Sequence, residues 1–229
     1  MLRFAMSLLL AVRDDRDLVI ASDGRVLGED SDVLSNDALK TLALNPRLCL
    51  GLAGSTDSMR LVLMAFGIRC RGSHPADLLG ICQEVACPID VDYVDARDEL
   101  SSLHRWMTHR APARLRFARI PAVILAGGLG DGPALCEWHP PARAMETTGT
   151  AGYSEAIVGS LPDERTAAWR EFRMTVRGER STDQAEDRLT RAIRFCARSL
   201  GTTGPVGETV DLRRWSRGFE LVRAAPATA

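Results

Sequence analysis

Three side chains near the start of the chain carry complementary chemistry: the hydroxyl of Ser7, the carboxylate of Asp23 and the ammonium of Lys40. Lys40 is the sole lysine among 29 basic residues, and the rest are arginine. Arginine stays protonated in proteins, whereas a lysine can be tuned by its surroundings, so the one lysine stands out chemically. A hydroxyl held beside a carboxylate and a tunable cation is raw material for an activated nucleophile.

Bringing the three together depends on the elements that carry them. Leu8 to Val12 and Leu18 to Ala21 are short apolar runs on either side of Asp14, Asp15 and Arg16, which predicts a β-hairpin. With those three residues as the turn, Arg13 faces Asp17, and the same register sets Ser7 opposite Asp23. Lys40 opens a strand over Lys40 to Leu44, paired with Leu48 to Leu52 across Asn45, Pro46 and Arg47. Helical spacing follows over Asp57 to Ile68, with Ser55 or Thr56 as cap, and then over Pro75 to Ala86 and Ala96 to Thr108. Pro121 to Ala126 and Ala134 to Trp138 read as strands joined by a glycine-rich turn from Gly127 to Gly132. Helices are predicted from about Tyr153 to Leu161, from Glu164 to Arg177 and from Thr182 to Leu200, then strands at Glu208 to Leu212 and Phe219 to Val222. Short-looped strand pairs and blocks of helices predict α+β architecture with antiparallel sheets, because alternating β-α units would instead give a parallel sheet.

A family resemblance rests on these same residues. Ser-Leu-Leu-Leu-Ala-Val-Arg from Ser7, Val-Ile-Ala-Ser-Asp-Gly-Arg ending at Arg25, the Lys40 strand and Gly-Leu-Ala-Gly-Ser-Thr ending at Thr56 together resemble the opening of proteasome β-type subunits and the bacterial HslV peptidase. Weaker similarity continues at Gly127 to Pro133, Thr148 to Ala156, and Thr203 to Pro205. The resemblance implies a four-layer αββα sandwich of the N-terminal nucleophile (Ntn) hydrolase type. It also implies roles: Ser7 as nucleophile with its own α-amine as base, Asp23 orienting, Lys40 tuning, and the Gly54 N–H in an oxyanion hole. A free α-amine titrates near pH 8 and so can accept the hydroxyl proton close to neutrality. Thr150 falls where the family has a helper serine, and Thr203 where it has another. The chain departs from the family pattern in using Ser for the usual Thr and in carrying Leu200 where an Asp is expected.

The implied activity is peptide-bond cleavage inside a self-assembled homo-oligomeric ring, acting on peptides or unfolded protein, with an ATPase unfoldase as a compatible partner. A catalytically silent structural subunit and a small-amide Ntn amidase are the alternatives. The implied domain spans 7–223, with 1–6 as a leader or mis-assigned start and 224–229 as a flexible tail. Translation from Met6 followed by methionine removal would expose Ser7.

Composition narrows the remaining classes. With 29 basic against 30 acidic residues, nothing global points to nucleic acid or an anionic membrane. Six cysteines without Cys-x-x-Cys spacing predict a reduced, cytoplasmic protein, and the four histidines form no ligand pattern with them, so neither metal nor cofactor is expected. Gly128, Gly130 and Gly132 precede Pro133 and a strand, not a helix, which argues for a turn over a phosphate loop. The arginine-rich stretch from Arg165 to Arg198 is interleaved with acidic residues, as on a solvated helix face or a subunit contact.

Overall fold

The computed structural model describes residues 7–27, 32–54, 56–67, 89–110, 122–130, 132–138, 146–147, 152–159, 161–163, 165–178, 182, 184–215 and 219–223. Within them the chain is α+β, with two five-stranded antiparallel sheets. The first sheet has the order β10-β1-β2-β11-β12, formed by Ser154–Gly159, Leu8–Arg13, Leu18–Asp23, Val210–Trp215 and Phe219–Arg223. The second has the order β5-β6-β7-β8-β9, formed by Thr41–Asn45, Leu48–Ala53, Ala122–Leu129, Gly132–Trp138 and Glu146–Thr147. A small hairpin, β3 (Val26–Leu27) with β4 (Val33–Ser35), stands apart from both. The described helices are α1 (Thr56–Ala65), α2 (Tyr93–His109), α3 (Ala167–Arg177) and α4 (Ala185–Leu200).

Strand alternation sorts the apolar side chains into three clusters. Leu9, Ala11, Leu18 and Ile20 of the first sheet meet Cys49, Ile124, Ala126 and Leu135 of the second, a core shared between the sheets. On its other face the first sheet presents Leu8, Leu10, Val12, Val19 and Ala21 to Phe172 and Val176 of α3 and to Leu189, Ile193 and Cys196 of α4. The second sheet likewise turns Leu42, Leu50, Val123 and Leu125 toward Val62 and Leu63 of α1 and Ala96 and Leu100 of α2. Both faces of each central strand are therefore buried, which explains why β1, β2 and β6 read as continuous apolar runs.

Two buried arginines cross between the sheets. Arg13 of β1 donates to the Pro133 carbonyl at 3.0 Å, and to Ser154 Oγ of its neighbour β10 at 2.7 Å. Arg213 of β11 donates to Oγ1 and the carbonyl of Thr41, at 2.8 and 3.0 Å.

Several sequence expectations are corrected. Tyr153 to Leu161, expected as a helix, instead contains strand β10, whose six residues pair antiparallel with β1 from Leu8↔Gly159 to Arg13↔Ser154. Apolar residues at 153, 156, 157, 158 and 161 satisfy helical spacing, but tertiary pairing along the edge of β1 decides the outcome. The first hairpin is also shifted by one residue: Arg13 pairs with Leu18, not Asp17, because Asp17 belongs to the turn, where the Asp14 N–H donates to its carbonyl at 3.0 Å. Gly127 and Gly128 lie within β7, paired with Ala134 and Pro133, so the turn is shorter than expected. The expected helix over Pro75 to Ala86 lies outside the described residues.

Candidate active site

Asp23 ends β2, and its carboxylate is wholly buried. Four donors converge on it. Lys40 Nζ lies 3.0 Å from each oxygen. Oδ1 also accepts the Leu8 N–H at 2.7 Å, while Oδ2 accepts the N–H groups of Arg25 at 2.9 Å and Gly207 at 3.1 Å. Lys40 Nζ donates in addition to the Arg25 carbonyl at 2.5 Å, so the ammonium is both ion-paired and hydrogen-bonded, as a buried charge requires.

The local chain explains how the lysine reaches this position. Lys40 immediately precedes β5, and its carbonyl accepts the Leu52 N–H at 2.9 Å, which fixes it at the edge of the second sheet. Just upstream, the Ala38 N–H donates to the Gly24 carbonyl, drawing the segment before β5 against the end of β2. A Cβ at Gly24 would lie 2.2 Å from the Asn36 carbonyl oxygen, so only glycine permits that approach. Burial pushes the Lys40 ammonium below the ordinary lysine range, opposed by the charges of Asp23 and Asp211 and assisted by that of Arg25.

Ser7 is buried at the head of β1, directly before Leu8, whose N–H is held by Asp23. The corrected register sets Leu8, not Ser7, opposite Asp23, so the expected hydroxyl-to-carboxylate pairing is replaced by a backbone contact one residue on. No hydrogen bond joins the Ser7 hydroxyl to Asp23 or Lys40; strand alternation directs Ser7 with Leu9 and Ala11 toward the space between the sheets. Gly159, at the end of β10, lies against it with φ +121°, and a Cβ there would fall 1.7 Å from the Ser7 carbonyl oxygen.

The remaining expected residues fare differently. Gly54 follows β6 with φ 151°, two residues beyond the Leu52 N–H that binds the Lys40 carbonyl, and so lies at the same end of the sheet as Lys40. Thr150 lies outside the described residues. Thr203 is exposed in the segment after α4, and its hydroxyl makes no hydrogen bond to a described residue. That segment is nevertheless tied to the site, because Arg25 Nη1 donates to the carbonyls of Thr202 and Gly204 at 2.8 and 3.0 Å. Leu200 packs onto the apolar cluster beneath α4, where it supplies no acid.

Two polar residues were missed by sequence reasoning. Ser22 and Asp211 pair across β2 and β11, both are buried, and Ser22 Oγ has no hydrogen-bond partner among the described residues. Asp211 lies far from Lys40 in sequence, and only the sheet order brings β11 beside β2. Among the described residues, no cluster of histidine, cysteine or acidic side chains is arranged to hold a metal, and no helix is long and apolar enough to cross a membrane. Cys49, Cys136 and Cys196 are buried and not joined in a disulfide, and burial pushes the thiols of Cys136 and Cys196 up to about 12.

The site is thus a buried carboxylate–ammonium pair where the two sheets meet, adjoining the backbone of a serine at the head of a strand. No protein-family model matches the chain, and a search of curated proteins found no significant relative.

Proposed function

We propose that the chain is a proteasome-type Ntn hydrolase with the αββα sandwich, cleaving amide bonds with Ser7 as nucleophile. The observation that supports this best is the Asp23–Lys40 pair bonded to the N–H of the residue after Ser7, because it couples the charged groups to the strand end that would present the nucleophile. The placement of helices against the outer face of each sheet agrees with such a sandwich.

The chemistry requires residues 1–6 to be absent, so that Ser7 carries a free amine. That amine takes the hydroxyl proton, Ser7 Oγ bonds to the substrate carbonyl carbon, and the C–N bond breaks as the leaving amine takes up the proton. Water then hydrolyses the ester. Lys40, as an ammonium, favours the neutral form of the Ser7 amine and stabilises charge developing nearby, and the Gly54 N–H faces the oxyanion. Peptides or unfolded chains are the proposed substrates and a homo-oligomeric ring the proposed assembly.

A second reading, a structural subunit without activity, is favoured by one observation: Leu200 and exposed Thr203 supply none of the polar support that the family places there. A panel of fluorogenic peptide amides, with Ser7 verified as first residue by intact mass, separates the readings. Hydrolysis that falls at least about a thousandfold in Ser7→Ala supports the nucleophile. Hydrolysis indifferent to that change removes it, and no hydrolysis at all favours the structural subunit. Turnover of small amides alone would indicate an amidase.

A further inference from the structure

The inter-sheet face of β11 carries charge that the proposed reaction has not yet used. Val210 and Leu212 point into the cluster under α4, so Asp211 and Arg213 point the other way, toward the second sheet. Arg213 confirms the direction by reaching Thr41 with two hydrogen bonds. Thr41 follows Lys40, and along β11 the step from Arg213 to Asp211 runs toward the end where Val210 pairs with Asp23. Asp211 is therefore a buried carboxylate, 3% exposed, on the inter-sheet face of β11 and at the end of the sheet that holds the Asp23–Lys40 pair.

We infer that Asp211 is a positioning residue of this site, a second carboxylate that shares with Asp23 the holding of Lys40 as an ammonium. The inference rests on the hydrolase reading only for its catalytic consequence. Charges around Lys40 come from every neighbouring element. The end of β2 supplies Asp23 and the residue after it Arg25; β11 supplies Asp211 and Arg213, and a free Ser7 amine would add a cation from β1. Arg213 is spent on Thr41, and Cys196 of α4, whose thiol burial and the charge of Asp23 keep protonated, adds none. The strand partner of Asp211 on its other side is Arg223 of β12.

Two carboxylates offset the burial that works against the charged lysine, and the Asp211 charge acts on Lys40 in that direction. With Asp23 alone, Lys40 would lose its proton at lower pH, and the free Ser7 amine would lose the neighbouring cation that favours its neutral, proton-accepting form. A site with one ammonium and two acids thus keeps Lys40 charged over a wider alkaline range.

The single lysine makes this directly measurable. In protein grown with ¹³C-lysine, one Cε resonance reports Lys40 alone. Asp211→Asn is expected to move its titration midpoint down by about one pH unit, while exposed Glu99→Gln on α2 leaves it in place. A midpoint unchanged in folded Asp211→Asn overturns the proposal. Should that variant fail to fold, Asp211→Ser, smaller and uncharged, takes its place: the same downward shift is expected, and an unchanged midpoint overturns the proposal. The alkaline limb of kcat/KM should shift with the Lys40 midpoint. A Lys40 shift in a protein that hydrolyses nothing supports Asp211 and counts against the hydrolase reading instead.

Discussion

Removing either member of the Asp23–Lys40 pair should damage the fold, but not equally. In Lys40→Met the carboxylate keeps three backbone donors, from Leu8, Arg25 and Gly207, so it stays solvated by the protein. The loss is then one charge-assisted interaction, about 2 kcal/mol. In Asp23→Asn the amide must set its NH₂ against a donor whichever way it turns. At the Oδ2 position it meets two N–H groups; at Oδ1 it meets the Leu8 N–H. The buried ammonium also loses its directly bonded counter-charge, a loss of about 3–5 kcal/mol when one partner of a buried pair is deleted. Asp23→Asn should therefore cost about 4 kcal/mol or more, roughly twice the cost of Lys40→Met. The double variant should cost less than the sum, since no unpaired ammonium remains. Urea unfolding at pH 7, followed by circular dichroism, measures all three. Equal single costs, or a larger loss for Lys40→Met, would refute the view that the carboxylate organises the site and the lysine answers to it.

Three further outcomes follow from named contacts. Gly159→Ala places a Cβ on the Ser7 carbonyl and demands φ +121° of a residue with a side chain, so at least about 2 kcal/mol of stability should be lost by chemical denaturation; hydrolysis should fall about a hundredfold through displacement of Ser7. Arg213→Met leaves the Thr41 carbonyl and hydroxyl without their inter-sheet donor, and should cost about 1–3 kcal/mol in the same assay. Asp14 gives a pH signature. Burial alone would raise its carboxyl, but hydrogen bonds from the Thr182 hydroxyl and from the N–H groups of Asp17, Arg16 and Thr182 outweigh burial and hold it at about 2, against an ordinary 3.8. Because the folded value is the lower one, its stabilisation is present above about pH 4 and lost as pH falls toward 2. Thr182→Val should shrink that acid-range loss, as read by denaturant midpoints between pH 5 and 2.

The sequence was informative where chemistry is local and less so where it depends on pairing. Ser7, Asp23 and Lys40 could be singled out because the short segments around them resemble a family's opening, and the sole lysine adds a signal of its own. The apolar runs of β1, β2, β5 and β6 identified their strands. The hairpin register was off by one because Asp17 is as good a turn residue as Asp14, and only the hydrogen bond between them decides. Strand β10 carries apolar residues that fit either period, and its partner β1 lies far away in sequence. The donors that complete the Asp23 site, above all the Gly207 N–H, come from backbone, which leaves no residue-type signal. Arg13 and Arg213 were indistinguishable from the many solvent-facing arginines until the sheets were stacked. Asp211 was hidden likewise, since nothing local reveals that β11 joins β2.

The proposed reaction has Ser7, with a free amine, attack the substrate carbonyl. It is tested most directly by intact-mass analysis of protein beginning at Ser7, quenched in acid during turnover of an activated peptide ester. Attack by Ser7 predicts an acyl adduct that maps to Ser7 and disappears in Ser7→Ala. An adduct on another residue, or one that persists in Ser7→Ala, would contradict it.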